Sequence, residues 1–200
     1  MTVAVTAMGL ADFLAYEDGT DTLYELEDGA LIAMPPESEV NRRIATFLLI
    51  YFAQCGVLPQ HLTMKTELVV LGARVGVRVP DLMVLSEALA EALAGATRST
   101  VTMEMPPPRL VVEIVSPGKQ NIDRDYRYKR SQYEARGIAE YWIVDPIVER
   151  VTILTRVEGL YETETFEGEM AIRSALLTEL APNQNLTAAQ VLVSGTSVSS

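Results

Sequence analysis

Two short apolar runs in the second half of the chain predict buried strands. Leu110 to Val115 and Tyr141 to Val144 are almost entirely apolar, with several β-branched residues, as is typical of central strands covered by helices on both faces. Between them, about Arg124 to Arg136 predicts a helix, which Asn121 or Asp123 can cap. A strand, a helix and a second strand in this order predict a crossover unit with the two strands parallel in one sheet.

Further helices and strands are predicted on both sides of this unit. We expect a hairpin at 24–34, an amphipathic helix at 37–55, a strand-rich block at 63–85 that Pro80 interrupts, a meander at 150–173 and a terminal helix at 187–192. This alternation predicts an α/β fold, a mixed sheet flanked by helices.

Length and composition indicate an ordinary globular protein. The chain has 200 residues, of which 48% are hydrophobic and 22% charged, and chains of this size usually close around a single core. The longest apolar stretch, Ile44 to Ala53, covers about 10 of the about 20 residues that a spanning helix needs. Because Cys55 is the single cysteine and the amino terminus does not resemble a secretory signal, we expect a cytoplasmic protein. Ser194 to Ser200 predicts a disordered tail.

The charge distribution is uneven along the chain. The net charge is −11, which argues against a general affinity for phosphate backbones. Six of the sixteen basic residues nevertheless lie between Lys119 and Arg136, against three acidic residues. Arg124, Arg127 and Arg130 are therefore candidate nucleic-acid contacts, and the alternative is an ordinary solvated helix face.

Glu113 is the most informative residue for function. It lies in the middle of the strand RLVVEIVS, where alternation places it on one face with Val111 and Val115. An unpaired buried carboxylate costs several kcal/mol, so such a group is paired with a cation, bound to a metal or neutralised. A structural ion pair is the alternative to a functional site.

Two further features accompany this acid. Asp81 follows Pro80 directly at the head of a predicted strand, although an aspartate after proline is also common in turns. Asp125, Lys129 and Tyr133 recur at four-residue intervals and line one stripe of the predicted helix. Asp125 with Lys129 is also an ordinary helix-stabilising pair, so this spacing alone does not require a function.

Taken together, these residues resemble the PD-(D/E)xK restriction-endonuclease-like superfamily. Within it, the similarity is to a large bacterial family long labelled as being of unknown function and now often described as endonucleases. The resemblance spans roughly residues 10–165 and includes the blocks YELEDG, VVEIVSP and GIAEYWIVDP. It implies that residues 1–193 form a single restriction-endonuclease-like domain.

The resemblance also implies a chemistry, the Mg²⁺- or Mn²⁺-dependent hydrolysis of DNA. Asp81 and Glu113, from neighbouring strands, would hold the metal together with the main-chain oxygen of Ile114. The metal would acidify a water and stabilise the charge of the attacked phosphate. The superfamily pattern has a lysine two residues after this glutamate, where the chain has Val115. The resemblance suggests that Lys129 supplies this cation from the helix.

Some positions depart from the family pattern or match it less clearly. Relatives commonly have a histidine near the start of the long helix, where this chain has Asn41, whose amide cannot take a proton near neutral pH. Glu25 matches a family acid, although it could simply bind backbone or pair with Arg42 or Arg43. Asp125 and Tyr133, the other residues of the helix stripe, are possible accessory groups beside Lys129.

DNA is thus the expected partner. We also expect a homodimer, which would place two basic helices beside one duplex and partly offset the acidic net charge.

The alternative is a non-catalytic binding or regulatory module on a nuclease-like scaffold, with Glu113 and Lys129 as a retained ion pair. A two-carboxylate glycoside hydrolase using Asp81 and Glu113 is less favoured, because 6% aromatic residues offer little material for a sugar-binding cleft.

Overall fold

The computed structural model describes residues 7–196. The helices are α1 (Leu10–Leu14), α2 (Glu39–Gln54), α3 (Glu87–Leu93), α4 (Lys119–Asp123), α5 (Arg130–Arg136), α6 (Ala175–Leu180) and α7 (Ala188–Val193), and a π-helical segment (Arg124–Lys129) joins α4 to α5. The strands are β1 (Tyr24–Glu27), β2 (Ala30–Ala33), β3 (Leu62–Thr63), β4 (Glu67–Leu71), β5 (Val75–Arg78), β6 (Leu82–Val84), β7 (Thr100–Val101), β8 (Leu110–Ile114), β9 (Glu140–Asp145), β10 (Arg150–Val157) and β11 (Leu160–Glu167).

The strands form two mixed sheets. The small sheet has the order β2-β1-β5-β4-β7 and the large sheet the order β11-β10-β9-β8-β6-β3. The predicted α/β class is confirmed, but the predicted strand block at 63–85 divides between both sheets. Pro80 lacks the N–H that a ladder needs, so the chain leaves the small sheet after β5 and enters the large sheet at β6.

The predicted crossover unit is confirmed. β8 and β9 pair in parallel, with Glu113 beside Ile143, and the helical segment 119–136 connects them. This helix begins at Lys119, earlier than expected, so the predicted cap at Asn121 or Asp123 is wrong. Asn121 instead donates to the Pro117 carbonyl.

The large sheet is covered on both faces, as its apolar strands require. On one face, Val112 and Ile114 pack with α2, α6 and α7, and Phe52 lies against the Trp142 ring. On the other face, Val111 packs with Tyr133 from α5, with α3 and with β4 of the small sheet. Glu113 also projects from this second face, where Lys129 and Tyr133 of the 119–136 helical segment contact it.

The carboxyl-terminal part differs from the sequence-based expectation. The predicted third strand of the meander is reduced to a single bridge between Ala171 and Thr187, and α6 follows it. Of the predicted tail, Ser194 and Thr196 donate hydrogen bonds to carbonyls of α7, and residues 197–200 lie outside the described part of the chain. None of the helices in residues 7–196 combines the length and apolar character needed to cross a membrane.

The packing of α2 generates a test of the core. Phe52 is fully buried, with its ring centroid 5.6 Å from that of Trp142. Phe52→Ala should lower the free energy of unfolding by about 3–5 kcal/mol, because it leaves a cavity. Ile50→Ala on the same helix, where the side chain is 49% exposed, should change it by less than about 0.5 kcal/mol in urea denaturation. Equal effects would contradict this packing.

Candidate active site

Three elements bring the predicted site residues together. The register of β6 against β8 pairs Leu82 with Val112, so its continuation by one residue sets Asp81 opposite Glu113. The helix that follows β8 returns across the same face of the sheet and carries Lys129 to these acids. All of them line one cavity of about 480 Å³.

Glu113 is held by two side chains of this helix. The Lys129 ammonium Nζ lies 2.7 Å from Glu113 Oε2, and the Tyr133 hydroxyl donates to Glu113 Oε1 at 2.6 Å. Each of the three residues is at most 4% exposed. The lysine therefore reaches Glu113 from the helix, whereas the superfamily pattern places a lysine on the strand, two residues after the glutamate.

The π-helical segment determines how the helix meets the acids. It contains Asp125 and Lys129, and Lys129 Nζ lies 3.3 Å from Asp125 Oδ1. Asp125 is buried, and its Oδ1 has no hydrogen-bond partner. Such wide turns are frequent at functional sites, and both residues of this segment line the cavity.

Asp81, Ile114 and Asn41 form a second side of the cavity. Asp81 Oδ2 accepts the Ile114 N–H at 2.6 Å. Asn41, near the start of α2, donates to the Ile114 carbonyl at 3.1 Å and to the Ser116 hydroxyl at 3.2 Å, while its own oxygen accepts from Ser38. Asn41 thus orients the main-chain oxygen that sequence analysis expected at a metal.

Glu25 belongs to the same cluster. The expected backbone contact is present, since Glu25 Oε1 accepts the Val79 N–H at 3.2 Å, but the expected pairing with Arg42 or Arg43 is wrong. Glu25 binds Arg78 Nη1 at 2.8 Å and lies 3.7 Å from Lys129 Nζ. Arg42 and Arg43 pair with Glu39 on the surface of α2 instead, because α2 turns that face to solvent.

Arg78 is the site residue that sequence reasoning missed. It is fully buried at the end of β5, and it bonds Glu25, Glu27 and Gln132. The signal was present in the segment VGVRVP, where a lone cation interrupts an apolar strand just as Glu113 does in its own strand.

The three candidate arginines have different surroundings. Arg124 lines the cavity, with its Nε 3.8 Å from Asp125 Oδ1. Arg127 is 71% exposed at its side chain, near Asp123. Arg130 donates to the Tyr161 carbonyl at 3.2 Å, so this guanidinium is already engaged within the protein.

Burial and neighbouring charges shift the pKa values of the acids in this cluster. Burial raises the pKa of Glu113 to about 8, against the opposing charge of Lys129, and the neighbouring carboxylates act in the same direction as burial. Burial also raises the pKa of Asp81 to about 6. Burial by itself would raise the pKa of Glu25, but Lys129 and Arg78 overcome it and lower that pKa to about 2.

The donor set can be compared with what a metal requires. Within residues 7–196, no group of three His, Cys, Asp or Glu side chains is arranged to hold an ion. Asp81, Glu113 and the Ile114 carbonyl are hard oxygen donors, however, and Mg²⁺ is commonly bound by one or two carboxylates with several waters. Burial raises the pKa values of Asp81 and Glu113, and a divalent cation beside them would favour their charged forms. These residues fit such an ion.

Comparison with known proteins identifies similar chains. The family model described as "Uma2: Putative restriction endonuclease" matches residues 10–189. The crystal structure of a putative nuclease belonging to DUF820 from Anabaena variabilis ATCC 29413 is similar with a TM-score of 0.67 and 16% identity, over 94% of this chain and 99% of that chain. No curated protein matches this chain. At this identity, the structural likeness shows the fold.

The burial of the lysine generates a test by substitution. Lys129→Met should lower the free energy of unfolding by about 3–5 kcal/mol, because it leaves buried carboxylates without their cation. Lys119→Met is the matched control, since Lys119 also pairs with an aspartate four residues away but is 86% exposed. Its unfolding curve should overlay that of the unmodified chain.

Adding Glu113→Gln to Lys129→Met should restore part of the lost stability, because the double variant no longer contains the carboxylate that lay nearest to the lysine. Urea denaturation of the four chains of this cycle measures the coupling. Strictly additive losses would contradict a direct interaction between the two side chains.

Proposed function

The chain belongs to the Uma2 family of putative restriction endonucleases, and we propose that it is a Mg²⁺- or Mn²⁺-dependent endonuclease that hydrolyses DNA phosphodiester bonds. One observation supports this most strongly. A buried lysine from the helix meets the strand carboxylate, with Lys129 Nζ 2.7 Å from Glu113 Oε2 and Asp81 opposite, at the base of an open cavity. This arrangement combines oxygen donors for a cation with a fixed positive charge.

Asp81 and Glu113, with the main-chain oxygen of Ile114, are the groups that we assign to the metal. A bound Mg²⁺ supplies an acidified water and stabilises the charge of the attacked phosphate. The protein keeps these donors in place through the β6–β8 register and through the Ile114 N–H that binds Asp81.

Lys129 is assigned as the catalytic cation. The carboxylates around it raise its pKa despite its burial, so the side chain stays an ammonium and cannot serve as the base. A buried ammonium can donate hydrogen bonds to the attacking water or to the phosphoryl oxygen, where negative charge develops. Its position is fixed in advance by Glu25 and Asp125.

Other residues act through these groups. Tyr133 orients the Glu113 carboxylate, and Asn41 orients the Ile114 carbonyl. We therefore assign Asn41 a positioning role, in place of the proton transfer that the family's histidine could perform. Both its N–H groups already have acceptors, which is consistent with support and not with direct contact to substrate.

We further infer that Arg124 at the cavity and the exposed Arg127 contact phosphates, and we assign Arg130 a smaller part because Tyr161 already engages it. A homodimer and a cytoplasmic location belong to the same proposal. A dimer would add the partner's basic helix to a chain whose own net charge is −11.

A second candidate is a non-catalytic binding module on a nuclease scaffold. The observation in its favour is that the expected metal donors already have protein partners. Both Glu113 oxygens contact Tyr133 and Lys129, and the Ile114 carbonyl accepts from Asn41. Each oxygen keeps a second lone pair with which it can bind a metal. Titration with Mn²⁺ distinguishes the endonuclease from the binding module.

Calorimetric titration of Mn²⁺ followed by a plasmid-nicking assay tests the endonuclease. The unmodified chain should bind Mn²⁺ saturably and nick plasmid only with metal, and Glu113→Gln should lose both, because one of two carboxylate donors is gone. Glu113→Gln should remain folded, since Lys129 keeps Asp125 and Glu25 as partners.

Glu140→Gln is the matched control. Glu140 is a buried glutamate of the neighbouring strand β9 whose carboxylate accepts from Trp142, Ser174 and Leu176, away from the cavity. This variant should be less stable and still bind Mn²⁺. If the unmodified chain does not bind Mn²⁺, the endonuclease proposal is wrong and the non-catalytic binding module is favoured.

A further inference from the structure

We propose that the cavity takes an unpaired nucleotide of single-stranded DNA, with its base against an apolar wall formed by the β1–β2 hairpin and the loop after it. This inference rests on the proposed function, because it specifies the substrate of the same site. Three independent features support it: the depth of the reactive groups, the composition of this wall and the charge of the lining.

The reactive groups lie too deep for a stacked duplex to present a phosphate to them easily. Lys129 is 3% and Glu113 4% exposed. They form the base of a cavity of about 480 Å³, within the range of about 300–1,000 Å³ that holds small molecules. A nucleotide that is free of its partner strand can enter such a space, as enzymes that act on flipped bases require.

One wall of this cavity is apolar. It consists of Leu23, Ile32 and Met34 from the hairpin and its flanks, with Pro35 and Pro36. Ile32 pairs directly with Glu25 in the hairpin register, so both side chains project from the same face of the hairpin toward the site. Ile32 is nevertheless 38% exposed, and an exposed apolar side chain beside a buried charge cluster is suited to a base and not to a phosphate.

The charge of the lining favours the same substrate. Lys65, Arg124 and Lys129 are the basic residues of the cavity, against six acidic ones, and Lys129 Nζ lies within 3.7 Å of three carboxylates. Duplex binding depends mainly on many phosphate contacts, which this lining does not supply. Binding of single strands instead draws a substantial part of its affinity from the faces of the bases.

Fluorescence anisotropy of labelled oligonucleotides in EDTA tests binding without turnover. The single strand should bind at least about tenfold more tightly than the duplex of the same sequence, a difference of about 1.4 kcal/mol in binding free energy. Ile32→Ser should weaken single-strand binding by about tenfold, Ile32→Val should restore most of it, and Mn²⁺ titration should be the same for all three chains. Leu160→Ser is the control, because Leu160 is 67% exposed at the distant β10–β11 turn.

Cleavage of both oligonucleotides with Mn²⁺ then separates the two proposals. Duplex binding as tight as single-strand binding, or an Ile32→Ser chain that binds like the unmodified one, would overturn the single-strand inference even if plasmid is nicked. If single-strand binding depends on Ile32 but no cleavage occurs, the proposed contact between the base and the apolar wall would stand, and the endonuclease proposal would be wrong.

Discussion

The structure depends on the burial of one ammonium among several carboxylates. Lys129 contacts Glu113, Glu25 and Asp125 at 2.7 to 3.7 Å, and Arg78 adds a second buried cation on the far side of Glu25. Neither set of charges can stay in the interior without the other, since removal of one partner leaves an uncompensated charge in a poorly solvated place. The strands and the helix that carry these groups are therefore fixed relative to one another.

Two irregularities of the backbone serve this arrangement. The π-helical segment at Arg124–Lys129 widens the helix where it crosses the sheet, and both its acid and its lysine reach the cluster. Pro80 ends the pairing of β5, so that the next residue, Asp81, begins the approach to the large sheet beside Glu113. Both irregularities therefore adjoin residues that line the cavity.

The chemistry proposed for the site follows from an imbalance of charge. The acids exceed the cations in the cavity, and burial, with a smaller contribution from neighbouring carboxylates, raises the pKa values of Glu113 and Asp81. A divalent cation would offset this excess and would supply a Lewis acid for the proposed phosphodiester hydrolysis. The same acidity disfavours binding of a duplex through its phosphates, and for this reason we propose that the apolar wall around Ile32 favours a single strand.

The α/β class, the β8–helix–β9 crossover and the buried position of Glu113 could be predicted from the sequence, because burial of an apolar strand and its alternation are local properties. The resemblance to a nuclease family added Asp81 and Lys129, which line the same cavity as Glu113. Tertiary structure alone decided that Glu25 pairs with Arg78 and not with Arg42 or Arg43, that the strand block divides between two sheets, and that Asn41 supports the Ile114 carbonyl. The Glu25–Arg78 and Asn41–Ile114 contacts join residues 53 and 73 positions apart, and no periodicity within one segment records which distant partner a buried polar group will meet.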